Sequence, residues 1–253
     1  MPSAATVRIE IENALERRFP AALTPAIRSI REVAPTGIPA VDALLDGGLP
    51  VGAISEVTGQ QSSGRTSLAL AWVAKRTEAG QVCAWIDAYD AFDPESAAAC
   101  GVALRQLLWV RCRAVNESAK GRPWRRLDQA LRATDLLLQA GGFATIVLDL
   151  GETEPEDGIR IPLATWFRFR QAADRTRSSL VVLGKTAYAQ SSAAVVLEST
   201  ACHAEVIGGR VWDGCTFEVR RGRQRATPLF THARKPPAST WQATASWAAG
   251  RRA

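Results

Sequence analysis

The chain has 253 residues, a formal net charge of +6, 47% hydrophobic residues and 22% charged residues. This length fits one large domain, or one domain with appendages, and the composition is that of a soluble globular protein. No stretch approaches the roughly 18 uncharged apolar residues that cross a bilayer, and the charged start has no signal-peptide pattern. We therefore expect a cytoplasmic protein without membrane contact. The five cysteines lack paired or zinc-site spacing, which argues against a disulfide framework or a metal site.

Basic residues, mostly arginines, concentrate in three stretches, at 105–132, 160–177 and 210–225. Such surfaces suit nucleic acid or an acidic protein partner, although an arginine-rich composition by itself also raises the isoelectric point. The first stretch supplies the candidate DNA or partner contacts Arg122, Arg125 and Arg126.

The first 34 residues are interpreted as an N-terminal helical arm. Apolar residues recur there at about helical spacing, at Val7, Ile11, Leu15 and Phe19. A strand over residues 7–12 remains an alternative, because Val7, Ile9 and Ile11 also alternate. A Pro-Thr-Gly turn then opens a core that we place at residues 35–230.

Strands and helices alternate through this core. Strands are predicted at 53–59, 81–88, 143–150 and 178–184, and helices at 67–80, 127–142 and 162–177. Residues 193–200 and 216–223 alternate like a final antiparallel pair. The pattern predicts a doubly wound α/β fold, with a mostly parallel sheet, helices on both faces and antiparallel strands at the C-terminal end. Residues 231–253 are predicted to be a flexible tail, in which Trp241 and Trp247 either anchor a partner or fold back.

Residues 59–66, GQQSSGRT, fit the phosphate-binding P-loop pattern at every position but one. Two glycines allow close backbone approach, and the amides with the helix N-terminus converge on a phosphate. Arg65 stands where the pattern has lysine, and its longer, planar guanidinium cannot be assumed to fill a lysine's place. The candidate nucleotide-binding residues of this loop are Gly59, Ser62, Ser63, Gly64, Arg65 and Thr66.

Asp149 ends the apolar strand 143–150, as the magnesium-orienting aspartate of a P-loop protein does. Thr66 and Asp149 would therefore hold magnesium if a magnesium nucleotide binds, and ATP with magnesium is the cofactor to consider. Residues 35–70, the segment 84–94 and the segment 216–230 together resemble the RecA family. The resemblance implies a RecA-type core.

Several positions depart from the family's pattern. The resemblance places Tyr89 where RecA has the glutamate that activates water, and a phenol with a pKa near 10 is a poor base. Asp93 matches the aspartate that contacts adenine, whereas Ser96 replaces the tyrosine that stacks on it. Lys185 stands at the nucleotide-sensing glutamine and is a further candidate DNA or partner contact. Arg221 and Arg223 match the basic pair that reaches a neighbouring subunit, which implies possible self-association.

Among RecA-like proteins with degraded sites, the chain most resembles the ImuA family of translesion-synthesis accessory proteins. This resemblance implies a weakly catalytic or non-catalytic scaffold of the SOS response to DNA damage. Its partners would be an ImuB-type polymerase homologue, RecA and an error-prone C-family DNA polymerase, and DNA is a further candidate. Two alternatives remain open, a divergent DNA-dependent ATPase that oligomerises on DNA and a plain DNA-binding module.

Overall fold

The computed structural model of the protein describes residues 32–113, 126–207, 211–224 and 238–244. The chain divides between Arg31 and Glu32, and the fold below is that of the second unit, Glu32–Ala253. The predicted helical arm before residue 32, the side chains of Arg122 and Arg125, and Trp247 lie outside the described residues.

The second unit is built from short strands and helices in alternation. In chain order the strands are β1 (Val33–Ala34), β2 (Leu49–Pro50), β3 (Ile54–Thr58), β4 (Cys83–Asp87), β5 (Leu107–Arg111), β6 (Thr145–Asp149), β7 (Ser179–Gly184), β8 (Ala193–Ile207), β9 (Val211–Gln224) and β10 (Ala238–Thr244). The helices are α1 (Pro39–Leu44), α2 (Arg65–Glu78), α3 (Pro94–Ala99), α4 (Arg126–Ala140), α5 (Pro155–Ile159) and α6 (Leu163–Thr176).

Eight strands form one sheet in the order β10-β9-β8-β3-β7-β6-β4-β5. Neighbouring strands from β8 through β3, β7, β6 and β4 to β5 are parallel, whereas β8, β9 and β10 pair antiparallel. The predicted α/β class is confirmed, including the antiparallel strands at the C-terminal end.

The two faces of the sheet bury separate apolar clusters. Alternate residues of β4 point to opposite faces, so Trp85 joins one cluster and Ile86 the other. Helix α2 covers the first face with Leu68 and Trp72, while α6 covers the second with Trp166. Since both faces are covered, nearly every residue of the central strands β3, β4, β6 and β7 is buried. Among the described helices, none is long and apolar enough to cross a bilayer.

Two segments next to the predicted domain boundaries form strands where the structure describes them. Residues 238–244, assigned to the flexible tail, form β10, and Trp241 is 7% exposed with its ring 4.7 Å from that of Phe217. Val33 and Ala34, assigned to the arm, pair with β2 in a small antiparallel sheet. In both places a tertiary partner supplies hydrogen bonds and apolar contacts that local composition does not reveal.

Candidate functional site

Four parallel strands bring the sequence-predicted residues to one edge of the sheet. The last residues of β3 and β7 are in register, as Thr58 with Gly184, and those of β4 and β6 are in register, as Asp87 with Asp149. Ligands of open α/β sheets bind outside the carboxyl ends of the strands, where a loop leaves each strand. The loops after β3, β4, β6 and β7 therefore define the candidate site.

The loop after β3 has the backbone that its glycines predict. Ser62 and Gly64 have positive φ angles of 60° and 83°, and Gly64 is the N-cap residue of α2. A Cβ at Gly59 would lie 2.4 Å from the Ser199 carbonyl oxygen, and one at Gly64 would lie 2.4 Å from the Phe217 ring. Strands β8 and β9 therefore pack so closely on the loop that only glycine fits at these two positions.

Arg65 extends from the first turn of α2 across the edge of the sheet. Its guanidinium donates to the carbonyl oxygen of Gly59, to that of Gly151 at 3.0 Å, and to the Glu152 carboxylate at 3.4 Å. The side chain is 8% exposed. The residue that replaces the P-loop lysine is thus bonded to the phosphate loop on one side and to the loop after β6 on the other.

The acidic loop, defined here as residues 151–154, contacts two further groups at this edge. Gln61 donates to Glu152 at 3.1 Å, and Lys185 forms an ion pair with Glu154 at 2.8 Å. The sequence analysis did not predict that this loop pairs with Arg65 and Lys185. The available signal was the position of Glu152, three residues after Asp149 on the same edge.

Asp149 lies between the phosphate loop and the acidic loop. Asp149 is partly buried, and this burial raises the pKa of its carboxyl group to about 6, while the hydrogen bond that it accepts from the Gly151 N–H lowers the pKa. Asp87 on the neighbouring strand raises the pKa further, while Arg65 lowers it. Because a pKa of about 6 is below neutrality, the group remains mostly ionised at pH 7.

The loop after β4 is organised around Asp87. Its carboxylate accepts the backbone N–H of Tyr89, Ala91 and Phe92 at 3.2, 3.0 and 2.9 Å, and the Trp109 indole N–H at 3.3 Å. A buried carboxylate with this many donors is well satisfied. The loop is consequently held in one conformation, which fixes where Tyr89 projects.

Tyr89 and Asp90 are both engaged by arginines. The Arg126 guanidinium lies 5.8 Å from the centre of the Tyr89 ring and donates to its carbonyl oxygen at 3.4 Å. Arg111 binds both carboxylate oxygens of Asp90, at 2.6 and 2.7 Å. These hydrogen bonds lower the pKa of Asp90, so this neighbour is also a weak base. Arg126, a predicted DNA contact, here contacts Tyr89.

Asp93 begins helix α3 as its N-cap. Its side chain accepts the backbone N–H of Ser96 at 2.9 Å and that of Glu95 at 3.4 Å, and the Ser96 hydroxyl also donates to it. This is the usual role of an aspartate before a helix that has proline at its first position. The two residues predicted at the adenine position therefore bind each other.

The two arginines proposed for subunit contacts lie on β9. Arg221 donates to the Leu44 carbonyl oxygen at 3.1 Å and pairs with Asp46 at 3.2 Å, both next to α1. The backbone of Arg223 is in register with Val196 of β8. Arg221 thus contributes to the packing of β9 on α1 within the chain.

Comparison with known proteins agrees with the architecture. Residues 25–157 match the family described as the RecA N-terminal domain. The chain belongs to this family. The chain is 43% identical to Protein RecA of Saccharopolyspora erythraea over 119 residues, which are 47% of this chain and 31% of that protein. It is 40% identical to Protein RecA of Methylococcus capsulatus over 125 residues, 49% of this chain and 32% of that protein.

The chain therefore aligns with about a third of the length of these RecA relatives. The matched segment includes the phosphate loop, the loop after β4 and the acidic loop. Strands β7 to β10 lie beyond the family match, although they complete the same sheet.

The residues of this RecA-family site fit a magnesium nucleotide only in part. Thr66 is exposed at the start of α2, and Asp149 ends β6, so the two oxygen donors that magnesium prefers are present. Arg65 and Asp93, by contrast, are bonded within the chain, and Tyr89 offers no carboxylate. In this arrangement the groups that would hold phosphate and adenine do not fit a bound nucleotide.

Proposed function

We propose that this RecA-family chain is a non-catalytic or weakly catalytic accessory protein of the DNA-damage response, of the ImuA type. Its core would act as a scaffold that brings an error-prone C-family polymerase to damaged DNA through contacts with an ImuB-type polymerase homologue and RecA. We place this activity in the cytoplasm and assign it to the RecA-like core.

The observation that carries this proposal is the set of contacts that Tyr89 and Asp90 make in the loop after β4. The water-activating position is Tyr89, whose ring lies against Arg126, and the adjacent carboxylate of Asp90 is held by Arg111 at two atoms. Loss of a general base typically costs about 10²–10⁴ in rate. A RecA-family fold in which arginines engage both Tyr89 and Asp90 supports a role that depends on binding surfaces and not on hydrolysis.

The experiment is reconstitution with purified partners. The chain, an ImuB-type protein and RecA from the same cell are mixed and separated by size-exclusion chromatography. We expect a stable complex that includes this chain. Hydrolysis of ATP with single-stranded DNA is measured in parallel, and we expect a rate at least about 100-fold below that of RecA. Absence of a complex with either partner would exclude the scaffold.

A divergent DNA-dependent ATPase is the second candidate, and the retained Thr66 and Asp149 favour it. It predicts hydrolysis that single-stranded DNA stimulates and that Arg65→Ala abolishes. A DNA-binding module, the third candidate, predicts salt-sensitive DNA binding. Neutralising Arg126 should then lower the slope of log affinity against log salt by about 1.

A further inference from the structure

We infer that the acidic loop supplies, from within the chain, the negative charge that phosphates bring to a P-loop, and so competes with nucleotide for this site. The inference deepens the proposed function and rests on it in one respect, because both concern a phosphate loop that has lost its catalytic task. The experiment below measures binding and is independent of the proposed partners.

The first observation is the environment of Arg65. A guanidinium that is 8% exposed must be matched by acceptors, since an unpaired buried charge is strongly unfavourable. Two backbone carbonyls and the Glu152 carboxylate supply them. Glu152 therefore pairs with Arg65, the residue at the position where a P-loop has the lysine that binds phosphate.

The second observation is that the same loop neutralises a second cation at the same edge. Lys185 follows β7, is 18% exposed, and pairs with Glu154 at 2.8 Å. Gln61, in the middle of the phosphate loop, donates to the second oxygen of Glu152. Donors from the loops after β3 and β7 thus converge on two carboxylates of the loop after β6.

The third observation is that the acidic loop is held in place by its own contacts. The Gly151 N–H donates to Asp149, the Thr153 N–H donates to the Leu150 carbonyl oxygen at 2.9 Å, and the Thr153 side chain is buried. A Cβ at Gly151 would lie 2.7 Å from the Arg65 guanidinium. The loop and Arg65 are packed against each other, so phosphate would have to displace Glu152 to reach Arg65.

The test is the affinity of a fluorescent ATP analogue with Mg²⁺, measured by anisotropy on the full chain. Glu152→Gln removes the competing charge and retains the side-chain length. We expect the variant to bind about fivefold more tightly than the parent, because phosphate no longer has to break the ion pair between Arg65 and Glu152. A partly exposed ion pair of this kind corresponds to about that ratio in affinity. The double variant Glu152→Gln with Glu154→Gln should gain about tenfold.

Matched controls come from the adjacent helix α5. Glu156→Gln removes the same charge from an exposed position, and Glu156→Gln with Asp157→Asn matches the double variant. Both controls should bind as the parent does. Arg65→Met in the Glu152→Gln background should return the affinity to the parental value, because the gain depends on the released guanidinium.

Equal affinities of Glu152→Gln and Glu156→Gln, including no measurable binding by either, would overturn the inference. So would a gain that persists after Arg65→Met. If the partner complex fails to form while Glu152→Gln still gains affinity, the scaffold alone is wrong and the role of the acidic loop stands.

Discussion

At the scale of single residues, Gly64 links the path of the phosphate loop to its packing on β9. Its φ is +83°, and an added Cβ would overlap the Phe217 ring at 2.4 Å, whereas Gly80 has a φ of +78° with open space around it. We expect Gly64→Ala to lower the free energy of unfolding by about 2–4 kcal/mol, from left-handed strain and overpacking together.

Gly80→Ala is the control for this prediction, since it carries the backbone strain alone and should cost about 1 kcal/mol. Urea unfolding of the two variants and the parent gives the comparison. Equal losses in the two variants would show that β9 does not press on the phosphate loop.

The pKa of Asp149 predicts a pH-dependent stability. Burial raises this pKa from the ordinary 3.8 to about 6. Between pH 3.8 and pH 6, Asp149 is therefore mostly protonated in the folded state and mostly ionised in the unfolded chain. The unfolding free energy should therefore fall as pH rises from 4 to 7, by up to about 3 kcal/mol from this group. Asp149→Asn lacks the titrating group and retains an acceptor for the Gly151 N–H.

The measurement is the unfolding free energy of the parent and Asp149→Asn at pH 4 and pH 7. The advantage of the variant should grow toward pH 7, because groups common to both proteins cancel in the difference. A difference that does not change with pH would contradict the raised pKa.

The substitutions at Arg65, Tyr89 and Ser96 could be found from sequence because each stands at a fixed distance from a motif. Their partners could not. Arg65 and Glu152 are 87 residues apart, and only the order of the parallel strands brings them to one edge. The engagement of Asp90 by Arg111 likewise depends on β5 lying beside β4.

At the scale of elements, β10 shows how a short polar strand escapes prediction. Its residues alternate between solvent and the sheet, and Trp241 packs on Phe217, which in turn lies against Gly64. Trp241→Ala should lower the unfolding free energy by about 3–5 kcal/mol, since it leaves a large cavity in the core. Thr240→Ala, at the exposed neighbouring position, should change it by less than about 0.5 kcal/mol.

Chemical denaturation of these two variants decides whether this strand belongs to the folded core. Similar small losses in both would restore the original interpretation of residues 238–244 as part of a tail. The central strands were predictable for the opposite reason. The interiors of β6 and β7, residues 146–148 and 180–183, are continuous apolar runs because helices cover both faces of the sheet. This pattern is visible in the sequence without knowledge of any partner.

At the scale of the whole molecule, the chain combines a RecA-family fold with a candidate site in which the acidic loop pairs with both Arg65 and Lys185. A nucleotide switch requires that ligand and partner prefer the same conformation, and the coupling is typically about 1–3 kcal/mol. The ion pairs of Arg65 and Lys185 with the acidic loop already stabilise one arrangement of this edge. A scaffold built in this way would bind its partners without a nucleotide signal.

We therefore expect the affinity for an ImuB-type partner to stay within about twofold in the absence of nucleotide, with ADP and with a non-hydrolysable ATP analogue. Coupling of the usual size would change it by about 5- to 150-fold. Titration calorimetry or anisotropy with saturating nucleotide measures this affinity. The partner affinity of the Glu152→Gln with Glu154→Gln variant should depend partly on nucleotide, because phosphate can reach Arg65 without displacing a carboxylate. A change of more than about fivefold in the partner affinity of the parent chain with ATP would contradict a scaffold that works without a nucleotide signal.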